Sequence, residues 1–355
     1  MEALELTSFW RNRSVLVTGH TGFKGSWLCL WLEHLGARVS GLALEPDQTP
    51  ALYDILAPWP RQSHHLVDIR NQAGLCSLVA ASAPEIVIHM AAQPLVRRSY
   101  RRPVETYDIN VMGTVNLLEA LRGLSSVKTI LVVTTDKVYR EDRSIKAFDE
   151  HDPLGGKDPY SNSKVCAEHV TAGFRDSFFA ERGVAEATAR SGNVIGGGDW
   201  SEDRIVPDII RASNRSAAVE LRYPEATRPW QHVLEPLWGY LCYARAMTEG
   251  RPLPAALNSG PDPDNAASVA QLADKVVSHL DRPQAWVRQA GEHPPEAPTL
   301  TLSSSLAEAC LGWKPCLTLN DTIDWTCAWY RAHRDGTDMR TFSLNQLKAY
   351  ESLIQ

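Results

Sequence analysis

Val15-Leu16-Val17 is a short apolar run that stops at Thr18-Gly19, and from Lys24 to Gly36 the apolar residues recur at helical spacing. The same alternation continues down the chain. Arg38 to Leu44, Ile86 to Ile88, Thr129 to Thr134 and Ala185 to Ser191 read as strands; Asn71 to Ala83, Thr106 to Leu124 and Ser161 to Arg182 read as helices. Strands that are apolar almost throughout, alternating with helices of about 12–18 residues, predict a parallel sheet covered on both faces. The expected class is therefore α/β, a doubly wound parallel sheet of at least five strands.

After Gly192 the pattern changes. Gly196-Gly197-Gly198 and the prolines at 207, 224, 229, 236, 252 and 254 interrupt the alternation, helical stretches shorten and loops lengthen. Residues 1–190 are expected to form the nucleotide-binding unit. Residues 191–355 are expected to form mainly a smaller lobe over the carboxyl ends of the strands, where open α/β sheets bind ligands. The boundary is soft, because segments can interchange between the two.

Composition narrows the function classes. Hydrophobic residues at 44% and charged ones at 22% are ordinary for a folded globular chain. Lys and Arg number 36 against 42 Asp and Glu, a net charge of −6 that gives no sign of a nucleic-acid partner. No apolar run approaches ~18 residues, so no membrane span is expected, and the opening MEALELTSFW is acidic where a secretory leader is basic. The seven cysteines form no CxxC pair, which predicts buried thiols in the cytoplasm and no metal site. Eleven tryptophans against seven phenylalanines suggest that some indoles line a site.

Gly19-His20-Thr21-Gly22-Phe23-Lys24-Gly25 places three glycines directly between a strand and a helix. Glycines there let the backbone approach a pyrophosphate, whose charge faces the helix N-terminus; the context distinguishes this loop from an ordinary tight turn. Thr21, Phe23 and Lys24 lie in the loop, Lys24 offering charge to a phosphate. Glu45, twenty residues after Gly25, stands where an acid holds the adenine-ribose hydroxyl and repels a 2′-phosphate, favouring NAD over NADP. Asp68-Ile69 is placed to meet adenine, and Ala91-Ala92 ends a strand beside the cofactor path. Tyr160 and Lys164 are one helical turn apart and can face one cleft. An ammonium beside a phenol favours the phenolate, which makes Tyr160 a base for an alcohol proton.

In this order and spacing the motifs resemble the extended short-chain dehydrogenase/reductase superfamily, Rossmann-like in fold, over nearly the whole chain. Within it, Gly19 to Trp27, His89-Met90-Ala91-Ala92-Gln93-Pro94-Leu95-Val96-Arg97 and Gly192-Asn193-Val194-Ile195-Gly196-Gly197-Gly198-Asp199-Trp200 look like the CDP-glucose 4,6-dehydratase subgroup. The resemblance implies an NAD-dependent lyase: C4 oxidation of a nucleoside diphosphate sugar, most like CDP-glucose, loss of water across C5 and C6, and hydride return to C6. It implies Thr135 beside Tyr160, Asp136 as the acid for the C6 hydroxyl and Lys137 as the C5 base. Arg228, Arg204, Arg97, Asn193 and Gln93 are expected at the phosphates or sugar, with Trp230 and His232 nearby. It further implies a homodimer or higher homo-oligomer through the helices around Thr106–Leu124 and Ser161–Arg182. Lys146-Ala147-Phe148-Asp149 departs from the subgroup's aromatic-rich stretch, so a dehydratase for another nucleoside diphosphohexose stays open. A 4-epimerase or reductase, and a non-catalytic dinucleotide-binding protein, are the remaining alternatives.

Overall fold

The computed structural model describes residues 2–141, 147–280, 285–291 and 301–354. Twelve strands run in chain order among them: β1 (Ser14–Thr18), β2 (Arg38–Ala43), β3 (Gln62–Leu66), β4 (Ile86–His89), β5 (Thr129–Val133), β6 (Ala185–Ser191), β7 (Asn193–Ile195), β8 (Val219–Leu221), β9 (Thr227–His232), β10 (Ala256–Ser259), β11 (Ala266–Ser268) and β12 (Trp286–Arg288). Seven of these form one sheet in the order β10-β6-β5-β4-β1-β2-β3, every neighbouring pair parallel. β7, β9 and β11 form a small mixed sheet, and β8 pairs with β12.

The all-apolar strands follow from burial on both faces. In β1, Val15 and Val17 join the core under helices Phe23–His34 and Leu234–Thr248, while Leu16 joins the core under Gln72–Ser82 and Gly113–Arg122. The chain winds outward from β1 in both directions, so its carboxyl end meets the crevice between β1 and β4, where strand order reverses. The glycine loop opens onto that crevice.

The sheet has two strands more than the apolar pattern predicts. β3, Gln62-Ser63-His64-His65-Leu66, is a polar edge strand and offers no apolar run to detect. β10 comes from beyond residue 190 yet pairs with β6, and Arg190 of β6 reaches Asn258 of β10 through the Tyr139 hydroxyl. Two long helices also carry wider turns than expected. Pro103–Tyr107 continues through a π-helical turn, Asp108–Met112, into Gly113–Arg122; Pro159–Phe174 continues through a second, Arg175–Phe179. Of the atypical segment after Lys137, Lys146 lies outside the described residues, while Phe148 is buried and stacks on Tyr139 with ring centres 5.1 Å apart.

All seven cysteines are free thiols. No helix among the described residues is long and apolar enough to cross a membrane, and none of their His, Cys, Asp and Glu side chains cluster as a metal site. Seven of the eleven tryptophans answer a packing need: Trp10, Trp27, Trp31, Trp230, Trp238, Trp313 and Trp329 are buried in the core.

Candidate active site

A cavity of about 880 Å³ lies at the carboxyl ends of the central strands, with the chain from Ser191 to Arg204 forming its far wall. The glycine loop is one side of it. Gly19 has φ of +76°, and a Cβ there would stand 2.8 Å from the Ala91 nitrogen; a Cβ on Gly25 would stand 2.1 Å from the Gly19 carbonyl oxygen. Gly22 occupies the N-cap of helix Phe23–His34 with no side chain capping it, which leaves the helix's N-terminal N–H groups available to an anion. These features fit a dinucleotide pyrophosphate. Thr21 ties the loop to β2 by donating its hydroxyl to the Leu44 carbonyl at 2.9 Å.

Further out, Glu45, Asp68, Ile69, Ala91 and Ala92 all line the same cavity. Arg70 and Arg98 also reach it, but Arg70 is held by Asp68 at 2.6 Å and Arg98 by Asp47 at 2.7 Å. The Arg70 hydrogen bonds hold the Asp68 carboxyl below the usual range. A carboxylate on the wall and arginines already paired suit a ribose hydroxyl better than a 2′-phosphate.

Thr135, Asp136, Lys137, Tyr160 and Lys164 converge on the inner end. Thr135, two residues past the end of β5, caps the short turn Asp136–Val138, and its hydroxyl donates to Asp136 Oδ1 at 2.9 Å. Lys137 Nζ stands 3.6 Å from that oxygen and donates to Asn193 Oδ1 at 3.4 Å. Tyr160 is fixed from below. Asp158 accepts from the Tyr160 and Ser161 backbone N–H groups, Ser161 closes a capping box, Pro159 starts the helix, and Ser99 accepts a second bond from the Tyr160 N–H.

Burial pushes the Tyr160 phenol up to about 12, against the pull of Arg204 and the hydrogen bond with Thr135. Lys164 donates Nζ to the Val133 carbonyl at 3.0 Å, and burial, with the nearby charge of Lys24, brings it down to about 8. Behind the site, Glu168 accepts from Thr134, Thr188 and Arg190 at 2.5–2.9 Å, all four side chains buried.

The family described as GDP-mannose 4,6 dehydratase matches residues 16–326. The chain belongs to this family. It is an extended short-chain dehydrogenase/reductase, as the motif order implied. It is 44% identical over 351 residues to a CDP-glucose 4,6-dehydratase of Salmonella typhimurium, covering 97% of this chain and 98% of that protein. Among solved structures, an epimerase of Methanothermobacter thermautotrophicus superposes with a TM-score of 0.82 at 21% identity, covering 95% of this chain and 97% of that one. A dTDP-glucose 4,6-dehydratase of Bacillus anthracis in complex with NAD gives 0.74 at 18%, covering 92% and 98%. These last two likenesses establish the shared α/β fold.

Within this member of the GDP-mannose 4,6 dehydratase family, not every residue expected at the substrate reaches the cavity. Asn193 and Arg204 do. Gln93 borders it, yet its side chain is turned to Leu95 and Thr106 and holds the strand-end loop. Arg97 pairs with Asp203 at 2.6 Å and is not part of the wall. Arg228, Trp230 and His232 lie on β9 outside it: Arg228 is buried and donates to the Thr227 carbonyl, and the Trp230 indole donates to the Ala267 carbonyl. His232 is packed between Trp27 and Trp325, where burial takes it down to about 3. Of the tryptophans, Trp200 is the one on the cavity wall.

Lys24 lies half-buried on the cavity wall and donates its ammonium to Ser191 and Tyr240. Tyr240 and the Glu168–Arg190 pair were not expected here. Tyr240 sits in an apolar helix that reads as pure core, whereas Glu168 follows Lys164 by one turn, a spacing that was available as a clue.

Proposed function

We propose that this chain is an NAD-dependent 4,6-dehydratase that converts CDP-glucose to CDP-4-keto-6-deoxyglucose. The observation that carries this is 44% identity along both full chains to a CDP-glucose 4,6-dehydratase, combined with an acid, a base and a phenol converging on one cavity. The glycine loop, the uncapped helix end and Glu45 would hold NAD, which supplies hydride acceptance from C4 and hydride return to C6. Tyr160 takes the C4 hydroxyl proton, with Thr135 and Arg204 favouring its phenolate. Lys137 removes the C5 proton made acidic by the C4 ketone. Asp136 gives a proton to the C6 hydroxyl, which leaves as water, and C5 regains one proton after the hydride reaches C6. The balance is the loss of one water. A 4-epimerase needs neither Asp136 nor Lys137.

Incubating the purified protein with NAD and, separately, the CDP, UDP, GDP and dTDP hexoses tests this reading. CDP-glucose is expected to give the alkali-sensitive absorbance of a 4-ketosugar at the highest kcat/KM. No loss of water from any of the four rules the reading out; another nucleotide winning corrects the substrate alone.

We also propose a homodimer. Tyr100, Val104, Met112 and Phe178 are large apolar side chains left exposed, Val104 at 81%, on the two helical stretches 96–122 and 159–179. Val104→Glu is expected to convert a species of twice the 39.3 kDa chain mass to a single chain by light scattering. A wild-type protein that already runs as one chain at micromolar concentration refutes this. A cytoplasmic location is supported by the seven free thiols.

A further inference from the structure

Lys24, from the glycine loop, is half-buried on the wall of the cavity. Its ammonium donates to Ser191 Oγ at 3.0 Å and to the Tyr240 hydroxyl at 2.8 Å, and it lies 4.9 Å from the Tyr240 ring centre. Ser191 and Tyr240 are themselves hydrogen-bonded at 2.8 Å, so the three close a triangle. Neither partner carries a formal charge, and Lys24 has no ion-pair partner among the described residues. An ammonium so placed, with the buried Ser191 and Tyr240 hydroxyls behind it, acts on charges across the low-dielectric wall of the site.

The charge of Asp136 favours the protonated lysine; Arg204 opposes it, and Lys24 in turn disfavours the charged form of Lys164. Asp136 is 1% exposed, and its Oδ2 is buried with no hydrogen-bond partner. Oδ2 faces Gly192, where a Cβ would stand 3.3 Å away, and Gly192 adjoins Ser191 of the triangle. The other oxygen, Oδ1, faces Thr135 and Lys137.

We propose that Lys24 is a positioning residue for the water-loss step: its ammonium acts on the Asp136 carboxyl from the Ser191 side, while Lys137 flanks the other oxygen. The role rests on the dehydratase reading above. A positive charge there favours the carboxylate that forms when Asp136 hands its proton to the departing C6 hydroxyl. It makes no hydrogen bond to Tyr160 or Thr135, which serve C4.

The first test needs no substrate. Burial brings Lys24 from its ordinary 10.5 down to about 7. Between those values the unfolded chain binds more protons than the folded one, so stability against urea rises with pH across that window. Lys24→Met is expected to lose this rise. Asp136→Asn removes the carboxyl whose ionised form favours protonated Lys24, so the rise should begin at lower pH; in the Lys24→Met background that displacement should vanish. Should Lys24→Met fail to fold, the wild-type and Asp136→Asn curves alone decide.

The second test is single turnover with NAD and CDP-glucose. Lys24→Met is expected to slow water loss about tenfold, more than it slows C4 oxidation, so reduced nicotinamide builds up; Lys24→Arg, which keeps the charge, should recover part of the loss. Superimposable pH–stability curves for wild type and Asp136→Asn, or equal slowing of both steps, overturn the proposal. Coupled curves without water loss from any nucleoside diphosphohexose overturn the dehydratase reading and the catalytic role, and leave the Lys24–Asp136 coupling standing.

Discussion

Lys137→Ala is expected to oxidise C4 of the sugar and then stall. In the wild type the amine stands at the mouth of the inner site, with Asn193 Oδ1 at 3.4 Å and Asp136 Oδ1 at 3.6 Å, and it is partly open to the cavity. The phenol that serves C4 is anchored separately, through Asp158 and Ser99 at the start of its own helix. Removing the amine therefore leaves the first step its machinery and takes the base from the second. Loss of a positioned general base costs about 10²–10⁴-fold, so overall turnover should fall by that factor. Reduced nicotinamide should accumulate by absorbance, and deuterium from heavy water should no longer enter C5. Lys137→Arg should not restore exchange, because a guanidinium does not give up its proton at working pH. Undiminished C5 exchange in Lys137→Ala takes the base role away from this residue.

Glu168→Ala should be the most destabilising single change near the site. Its carboxylate accepts two bonds from Arg190 at 2.9 Å, one from Thr188 at 2.7 Å and one from Thr134 at 2.5 Å, and ties β5 and β6 to helix Pro159–Phe174. Removing it strands the Arg190 guanidinium in the interior, and breaking a buried pair from one side costs about 3–5 kcal/mol. Arg190→Met added to it should cost less than the sum of the two single changes, since neither charge is then left alone. Burial works against ionised Glu168, but Arg190 and the two threonines hold its carboxyl below the ordinary range. The pair's stabilisation is thus full above the ordinary glutamate value of 4.5 and is lost as pH falls through the lowered one. Urea unfolding of the three variants at neutral and acid pH measures this. A cost under about 1 kcal/mol for Glu168→Ala, the range of exposed ion pairs, contradicts the account.

The parts legible in the sequence were those with a local cause. Val15-Leu16-Val17 followed by Gly19, Gly22 and Gly25 identifies a strand, a turn and a helix start within eleven residues, and the structure keeps all three. Asp158-Pro159-Tyr160 is equally local: an N-cap acid and an N1 proline place the phenol in the first turn. What the pattern hid depended on distant partners. Tyr240 meets Lys24 across 216 positions of chain, and nothing in its own apolar helix marks it. Trp230 and His232 have the residue types of a ligand site, yet Ala267, Trp27 and Trp325 use them for packing. β3 escaped detection because an edge strand needs only one partner and tolerates Ser63, His64 and His65.

The placement of β10 bears on how the protein is made. Ser259 is its last residue, and until the ribosome has delivered it the outer flank of β6 has no backbone to pair with. A growing chain that has emerged only as far as Gly198 can assemble six parallel strands, but it displays a bare row of N–H and C=O groups, the kind of template on which nascent chains associate wrongly. Synthesis of the remaining sixty or so residues is the interval in which a chaperone holding that flank would matter most.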